Sequence, residues 1–285
     1  MTLQELLKQI QNKLSITSQT PKLDAEIIIN AALQASPTIF YTDSQRNITE
    51  SELKRVHALL QRRQQGEPIA YLLSEKEFWS LKLEVTPDTL IPRPETEHLI
   101  EWALTYLPNN KPLKIADLGT GSGAIAIALA HEQPNWQLHA TDESFAALKV
   151  AIRNAQRFNL QNISFYQGDW FSALPQIKFD AIFSNPPYIA EQDPYLNAPE
   201  MRFEPKRALI AGTEGLDALQ IIINNATHYL QEQGWLIVEH GYDQANRIDA
   251  LFDQAGFSQI KTLHDLAEIP RFTVGQSKSA TPVKR

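Results

Sequence analysis

Apolar positions in the first seventy residues recur every three to four places: Leu3, Leu6, Leu7, Ile10 and Leu14, then Leu23, Ile27, Ile28, Ala31 and Ala32. That spacing lines one face of a helix. Thr20 before Pro21 suits an N-cap and a first helical position, and Thr49-Glu50-Ser51-Glu52 reads as a capping box ahead of Leu53, Val56, Leu59 and Leu60. Roughly three short helices are expected here, forming a small all-α lobe. Between 75 and 96 the pattern turns to alternation at Leu81, Leu83 and Val85 and then to a proline-bearing run from Pro87 to Pro94, which predicts a hairpin and a linker.

From residue 113 strands and helices alternate. Predicted strands cover 113–118, 136–141, 163–167, 179–184 and 235–239, helices cover 124–131, 145–158, 216–230 and 244–255, and two further strands lie near 259–263 and 272–274. This is the rhythm of an α/β fold with a doubly wound, Rossmann-like sheet. Ser277 to Arg285 read as a solvated tail.

Composition narrows the class. With 285 residues, 43% of them hydrophobic and 21% charged, the chain falls among globular proteins and has ample material for a core. It contains no cysteine, which excludes disulfides, thiolate metal sites and cysteine nucleophiles. No apolar run approaches the ~18 residues of a membrane span and the N-terminus lacks a signal-peptide profile, so no membrane association and a cytoplasmic location are expected. The net charge of −7 argues against a broad nucleic-acid footprint, and no direct nucleic-acid contact is expected. None of the seven histidines has the spacing of a helical metal site, so no metal is expected; His240 alone is retained as a pocket-edge residue. Lys54, Arg55, Arg62 and Arg63 form a basic stripe that reads as a solvated helix face. A monomer is expected.

Two stretches carry chemistry. Asp117-Leu118-Gly119-Thr120-Gly121-Ser122-Gly123-Ala124 falls where the first strand of the sheet ends and a helix begins, so backbone N–H groups and a helix N-terminus can approach a ligand. Asp142 ends the next strand 19 residues after Gly123, a position from which a carboxylate accepts ribose hydroxyls. Together they describe a site for an adenosine-containing cofactor, although Gly119, Gly121 and Ala124 also satisfy the dinucleotide pattern. The second stretch, Asn185-Pro186-Pro187-Tyr188, follows the strand 179–184 at the sheet edge where such folds bind ligands. An amide or exocyclic amine has its lone pair delocalised, so methylating it requires both N–H bonds held and the nitrogen aimed. The Asn185 side-chain carbonyl and the Pro186 backbone carbonyl are suitable acceptors, the prolines stiffen the loop, and Tyr188 can cover the planar group.

These residues resemble the class I S-adenosylmethionine-dependent methyltransferases, and within them the protein-(glutamine-N5) methyltransferases of peptide chain release factors. The resemblance runs through Leu23-Asp24-Ala25-Glu26, Gly66 to Tyr71, Ile91-Pro92-Arg93-Pro94-Glu95-Thr96-Glu97, Asp117 to Gly123, Gly168-Asp169-Trp170, Asn185 to Tyr188 and Asp265-Leu266-Ala267. It implies a seven-stranded sheet and an N-terminal helical lobe that grips a release factor. It also implies S-adenosyl-L-methionine held by Asp117, Gly119, Thr120, Gly121, Ser122, Gly123 and Asp142, with Trp170 near the adenine and Asn185 touching both ligands, and S-adenosyl-L-homocysteine as product. The glutamine of a Gly-Gly-Gln motif is expected on Asn185, Pro186, Pro187 and Tyr188, with Asn185, Pro186 and Tyr188 catalytic. Arg93 and Glu97 are expected to order the linker. The division expected is 1–74 helical, 75–96 hairpin and linker, 97–277 methyltransferase and 278–285 tail.

Ser74 stands where the family has glycine, and Glu268-Ile269-Pro270 replaces a glycine-bearing turn, which puts loop geometry and docking in question. A ribosomal-protein glutamine methyltransferase and an adenine-N6 methyltransferase share the Asn185 loop. A silent cofactor-binding module and a nicotinamide dehydrogenase share only the glycine loop.

Overall fold

A computed structural model of the protein describes residues 1–278; the rest of the expected tail, 279–285, lies outside the described residues. The chain divides into two compact units, one made of 1–75 together with 197–203, the other of 76–196 and 204 onward.

The first unit contains α1 (Leu3–Leu14), α2 (Pro21–Leu33), α3 (Ile39–Thr42), α4 (Glu50–Gln64) and α5 (Ile69–Leu73). Five helices stand where about three were expected because α3 and α5 are single turns, too short to leave a periodic signal. Leu3, Leu6, Ile10, Ile28, Val56 and Leu60 meet in its core. Capping boxes start α1 at Thr2 and α4 at Thr49. Thr20 does not cap α2: its backbone (φ −126°, ψ 55°) is outside the capping geometry and its hydroxyl donates to Asp24 Oδ1 at 3.1 Å. Of the basic stripe, Lys54, Arg55 and Arg62 are exposed as expected, and Arg63 is the exception. Arg63 follows Val56 and Leu60 on the apolar stripe of α4, where it is buried and ion-paired with buried Asp24 at 2.7 Å and with Glu200 at 2.8 Å. Arg62 is paired with Glu67, and Arg55 donates to the Ala32 carbonyl.

Apart from Glu75, a hairpin of β1 (Glu75–Phe78) and β2 (Leu81–Glu84) opens the second unit, turned by Trp79 and Ser80, both at positive φ. Helix α6 (Glu97–Tyr106) follows a single 3-10 turn, Pro94–Thr96. Then come β3 (Lys114–Leu118), α7 (Ala124–Glu132), β4 (Gln137–Asp142), α8 (Phe145–Arg157), β5 (Ile163–Gln167), β6 (Phe179–Ser184), α9 (Asp217–Ala226), β7 (Leu230–Glu239), α10 (Ala245–Gln254), β8 (Ser258–His264) and β9 (Pro270–Gln276). They form a seven-stranded sheet in the order β5-β4-β3-β6-β7-β9-β8, parallel from β5 to β7, with β9 antiparallel to both of its neighbours. Neighbouring side chains of β3 serve opposite faces, Ile115 in a cluster with Trp102, Ile127 and Leu138, Ala116 in one with Ile182, Leu219 and Phe252. Burial on both faces makes these strands continuous apolar runs. Strand order reverses between β3 and β6, so a crevice opens beyond their carboxyl ends.

The helix expected over 216–230 is shorter and β7 correspondingly longer, because Leu230 already pairs with Phe179 of β6, across an irregularity, before Trp235 to Val238 pair with β6 and β9. Ser277 is buried rather than solvated, donating to the Gly234 carbonyl at 2.8 Å and accepting from Gln233 N–H at 3.2 Å.

Candidate functional site

The glycine loop leaves β3 under two backbone restraints: the N–H groups of Gly119 and Thr120 both donate to the Thr141 carbonyl at 2.9 Å. Gly121 has φ +58°, and a Cβ placed there would meet no atom within 4 Å, so the loop backbone lies open to the crevice. Asp117 is fully buried at the end of β3; its Oδ2 accepts from the Thr120 hydroxyl at 2.6 Å and from Ala126 N–H at 3.2 Å, while Oδ1 has no hydrogen-bond partner among the described residues. Burial outweighs those two bonds and pushes its carboxyl up to about 7. Asp142 ends β4 and accepts from Gly121 N–H at 2.9 Å and Ser144 N–H at 2.8 Å, with burial again raising its proton affinity.

A cavity of about 190 Å³ lies against this loop, lined by Gly119, Thr120, Gly121, Ser122, Asp142 and Trp170 among others. The Trp170 ring lies 3.2 Å from the position of a Cβ on Gly119. Thr89, Leu90, Pro92 and Thr96, Arg207, and Asn185 and Pro187 also line it. Gly123 and Asp117 stay behind it, the first as the N-cap residue of α7.

A second cavity, about 480 Å³, is lined by Asn185, Pro186, Tyr188, Glu239, Arg93 and Arg271 among others. Asn185 thus borders both cavities, with Pro186 and Tyr188 on the second and Pro187 on the first. Pro187, expected among the substrate contacts, borders the first cavity instead, on the other side from Pro186.

The loop after β6 is held from several sides. Asn185 Nδ2 donates to Thr96 Oγ1 at 3.1 Å, Thr96 donates to Glu239 Oε2 at 2.6 Å, and the Tyr188 hydroxyl donates to Glu239 Oε1 at 3.2 Å. Gln244 accepts from Gly241 N–H at 2.8 Å and donates to the carbonyls of Tyr188 at 3.0 Å and Gly215 at 3.1 Å. Gly215 permits this approach, since a Cβ there would stand 2.3 Å from the Tyr188 oxygen. Burial raises the proton affinity of both Tyr188 and Glu239, the latter to about 7.

Sequence reasoning passed over Thr96, Glu239, Gln244 and Arg207. One signal could have found Glu239: like Asp142, and like Asp117 one place short of its strand's end, it is an acidic residue at the carboxyl end of a strand in the sheet. His240, retained as a pocket-edge residue, is instead fully buried and lines neither cavity. Following Glu239 on the strand, it faces the opposite side, with its ring nitrogens 2.9 Å from the Gly241 carbonyl and 3.1 Å from the Thr273 hydroxyl. Glu97 accepts from Trp79 N–H at 2.9 Å and so orders the hairpin turn, whereas Arg93 pairs with Glu204 at 2.6 Å, which also accepts from Ile91 N–H. Among the described residues no cluster of His, Asp or Glu could hold a metal ion, and no helix is long and apolar enough to cross a membrane.

The chain matches the family described as Methyltransferase small domain over residues 101–262 and the one described as PrmC N-terminal domain over residues 5–73. It is 47% identical to a release factor glutamine methyltransferase of Coxiella burnetii, over 97% of this chain and 99% of that one. With the release factor glutamine methyltransferase of Escherichia coli the identity is 42%, over 96% and 97% of the two chains. A crystal structure of a methyltransferase from Pyrococcus furiosus shares the fold, with a TM-score of 0.54 at 19% identity, covering 70% of this chain and 90% of that one.

Proposed function

The chain belongs to the release factor glutamine methyltransferase family, and we propose that it transfers the methyl group of S-adenosyl-L-methionine to the side-chain amide nitrogen (N5) of the glutamine in the Gly-Gly-Gln motif of peptide chain release factors. One observation carries the reading: Asn185 stands, with Leu90 and Ala208, in the wall shared by a cavity built on the glycine loop and a second cavity built on Pro186 and Tyr188.

The first cavity fits the donor. The unpartnered, buried Oδ1 of Asp117 sets a negative charge behind the loop that an ammonium group would face, the Asp142 carboxylate keeps lone pairs for ribose hydroxyls, Trp170 offers a face for adenine, and the open backbone at Gly121 leaves room for close approach. Thr120, Ser122 and Gly119 line the same wall, and Gly123 starts the helix behind it. When bound, S-adenosyl-L-methionine supplies an electron-poor methyl on a sulfonium sulfur, which leaves as the neutral thioether of S-adenosyl-L-homocysteine.

On the other side Asn185 Oδ1 and the Pro186 carbonyl accept the two N–H bonds of the glutamine amide, drawing it out of free rotation and aiming its nitrogen across the shared wall. Tyr188 covers the planar amide. With the donor bound, the held amide nitrogen would take the methyl as the thioether departs, and the amide proton it sheds would reach bulk water as product leaves. Orientation and exclusion of water lower the barrier, with no strong base required. Residues 1–74 are proposed to bind the release factor, 75–96 to link, and 97–277 to carry catalysis, in a cytoplasmic monomer without direct nucleic-acid contact.

Labelled methyl from S-adenosyl-L-methionine is expected on purified release factor, and neither on a factor whose motif glutamine is alanine nor on unmethylated DNA. Asn185→Ala is expected to lower turnover by about 10²–10³-fold while leaving donor affinity within a fewfold of wild type. Wild-type turnover in that variant would remove Asn185 from the reaction.

A further inference from the structure

The Asn185 side chain has two chemically opposite ends, and only its carbonyl oxygen can receive an N–H from an amide substrate. What selects that end is a hydroxyl behind it. Thr96 Oγ1 has a single hydrogen, directed at Glu239 Oε2 across 2.6 Å. Its oxygen is left able only to accept, so Asn185 meets it with Nδ2–H at 3.1 Å and Oδ1 is turned the other way. The second oxygen of the same buried carboxylate accepts from the Tyr188 hydroxyl at 3.2 Å.

We propose that Glu239 is a positioning residue of the acceptor site, acting through Thr96 to keep the Asn185 amide oriented as a hydrogen-bond acceptor and holding Tyr188 beside it. The proposal rests on the acceptor role given to Asn185 above and adds the device that enforces it. Gln244 restrains the backbone of the same loop at Tyr188 and leaves the direction of the Asn185 amide to Thr96 and Glu239.

The device works in one protonation state. Glu239 is faced by Thr96 and Glu95 from the turn before α6, by Tyr188 from the loop after β6 and by Arg271 from β9. Burial raises its carboxyl to about 7, the Thr96 and Tyr188 hydrogen bonds and Arg271 oppose that rise, and Glu95 adds to it. A proton on Glu239 makes the carboxyl a donor to Thr96. The Thr96 hydrogen is then released toward Asn185, the amide reverses, and Nδ2–H confronts the N–H of the substrate. Turnover at saturating donor is therefore lost as pH falls through neutrality.

The test measures kcat on release factor between pH 5.5 and 9 at saturating S-adenosyl-L-methionine, together with donor Kd from tryptophan fluorescence. The proteins compared are wild type, Glu239→Gln, Thr96→Val, Thr96→Ser and Asn185→Ala. The proposal expects Thr96→Val and Glu239→Gln to lose about tenfold to a hundredfold in kcat above pH 8 at saturating donor and to lose the acid limb of the wild-type profile, with donor Kd of Glu239→Gln, which lies off the donor cavity, within about twofold of wild type. Thr96→Ser, which keeps the hydroxyl, is expected to recover most of the rate and the limb. Thr96→Val with wild-type kcat while Asn185→Ala is inactive would overturn the relay and leave the acceptor role of Asn185 standing. Wild-type kcat in Asn185→Ala would instead overturn the acceptor role, and the relay with it. Slow Thr96→Val and Glu239→Gln that retain the wild-type acid limb would reduce Glu239 to a packing role and overturn the proposal.

Discussion

Asp117 engages Thr120 and Ala126 with one carboxylate oxygen and leaves the other buried without a partner, an arrangement that burial makes hard to ionise. A donor ammonium on the loop in front of it favours the ionised form, so binding below pH 7 requires a proton to leave. The affinity for S-adenosyl-L-methionine is accordingly expected to weaken as pH falls from 8 to 6, and calorimetry in buffers of different ionisation enthalpy should register the released proton. Asp117→Asn should lower the affinity by about tenfold to a hundredfold and flatten this dependence. The same carboxyl bears on stability. Asp117 and Glu239 are both raised from ordinary values of 3.8 and 4.5 to about 7. Each binds its proton more tightly folded than unfolded, so the stability it contributes is complete below its ordinary value and is lost as pH rises through 7.

At the scale of elements, the two places where glycine is expected from the resemblance, Ser74 and the turn Glu268-Ile269-Pro270, each hold a left-handed residue: Ser74 has φ +55° and Glu268 φ +59°. Ser74 closes α5 as its C-cap, and Glu268 stands in the turn between β8 and β9, donating to the Asp265 carbonyl at 3.0 Å. The turns survive because local bonds hold them: Asp265 accepts from the N–H groups of Ala267 and Ile269 and pairs with Arg271. A Cβ in this region costs about 1–2 kcal/mol, partly offset by the extra freedom glycine has when unfolded. Ser74→Gly and Glu268→Gly are each expected to raise unfolding free energy by roughly 1 kcal/mol in urea titrations. Ser74→Ala, which keeps the Cβ, should give no such gain.

For the whole molecule, the donor cavity draws on the ends of β3 and β4, the loop after β6 and the linker ahead of α6, so a ligand there ties together distant parts of the second unit. S-adenosyl-L-methionine at a hundred times its Kd is expected to add ~2.7 kcal/mol and raise the thermal midpoint by roughly 5 °C, read by calorimetry. Much of this unit was legible in the sequence, since alternating apolar runs and helical stripes, the glycine loop and the Asn-Pro-Pro-Tyr turn are written within short windows where period and turn chemistry are local. The insertion of β9 between β7 and β8 was not, nor the grouping of 197–203 with the N-terminal helices, nor the burial of Arg63 against Asp24.

By itself the sequence determined the α/β class, the course of most strands and helices, and the two loops that carry the chemistry, because each follows from side-chain spacing along a few turns of chain. Only the tertiary structure decided which residues hold those loops in place. Thr96 reaches Asn185 across 89 positions, Thr96 reaches Glu239 across 143, and Gln244 reaches the Tyr188 carbonyl across 56. Hydrogen bonds over such separations leave no periodic trace, since they arise where the sheet brings the ends of distant strands to one edge.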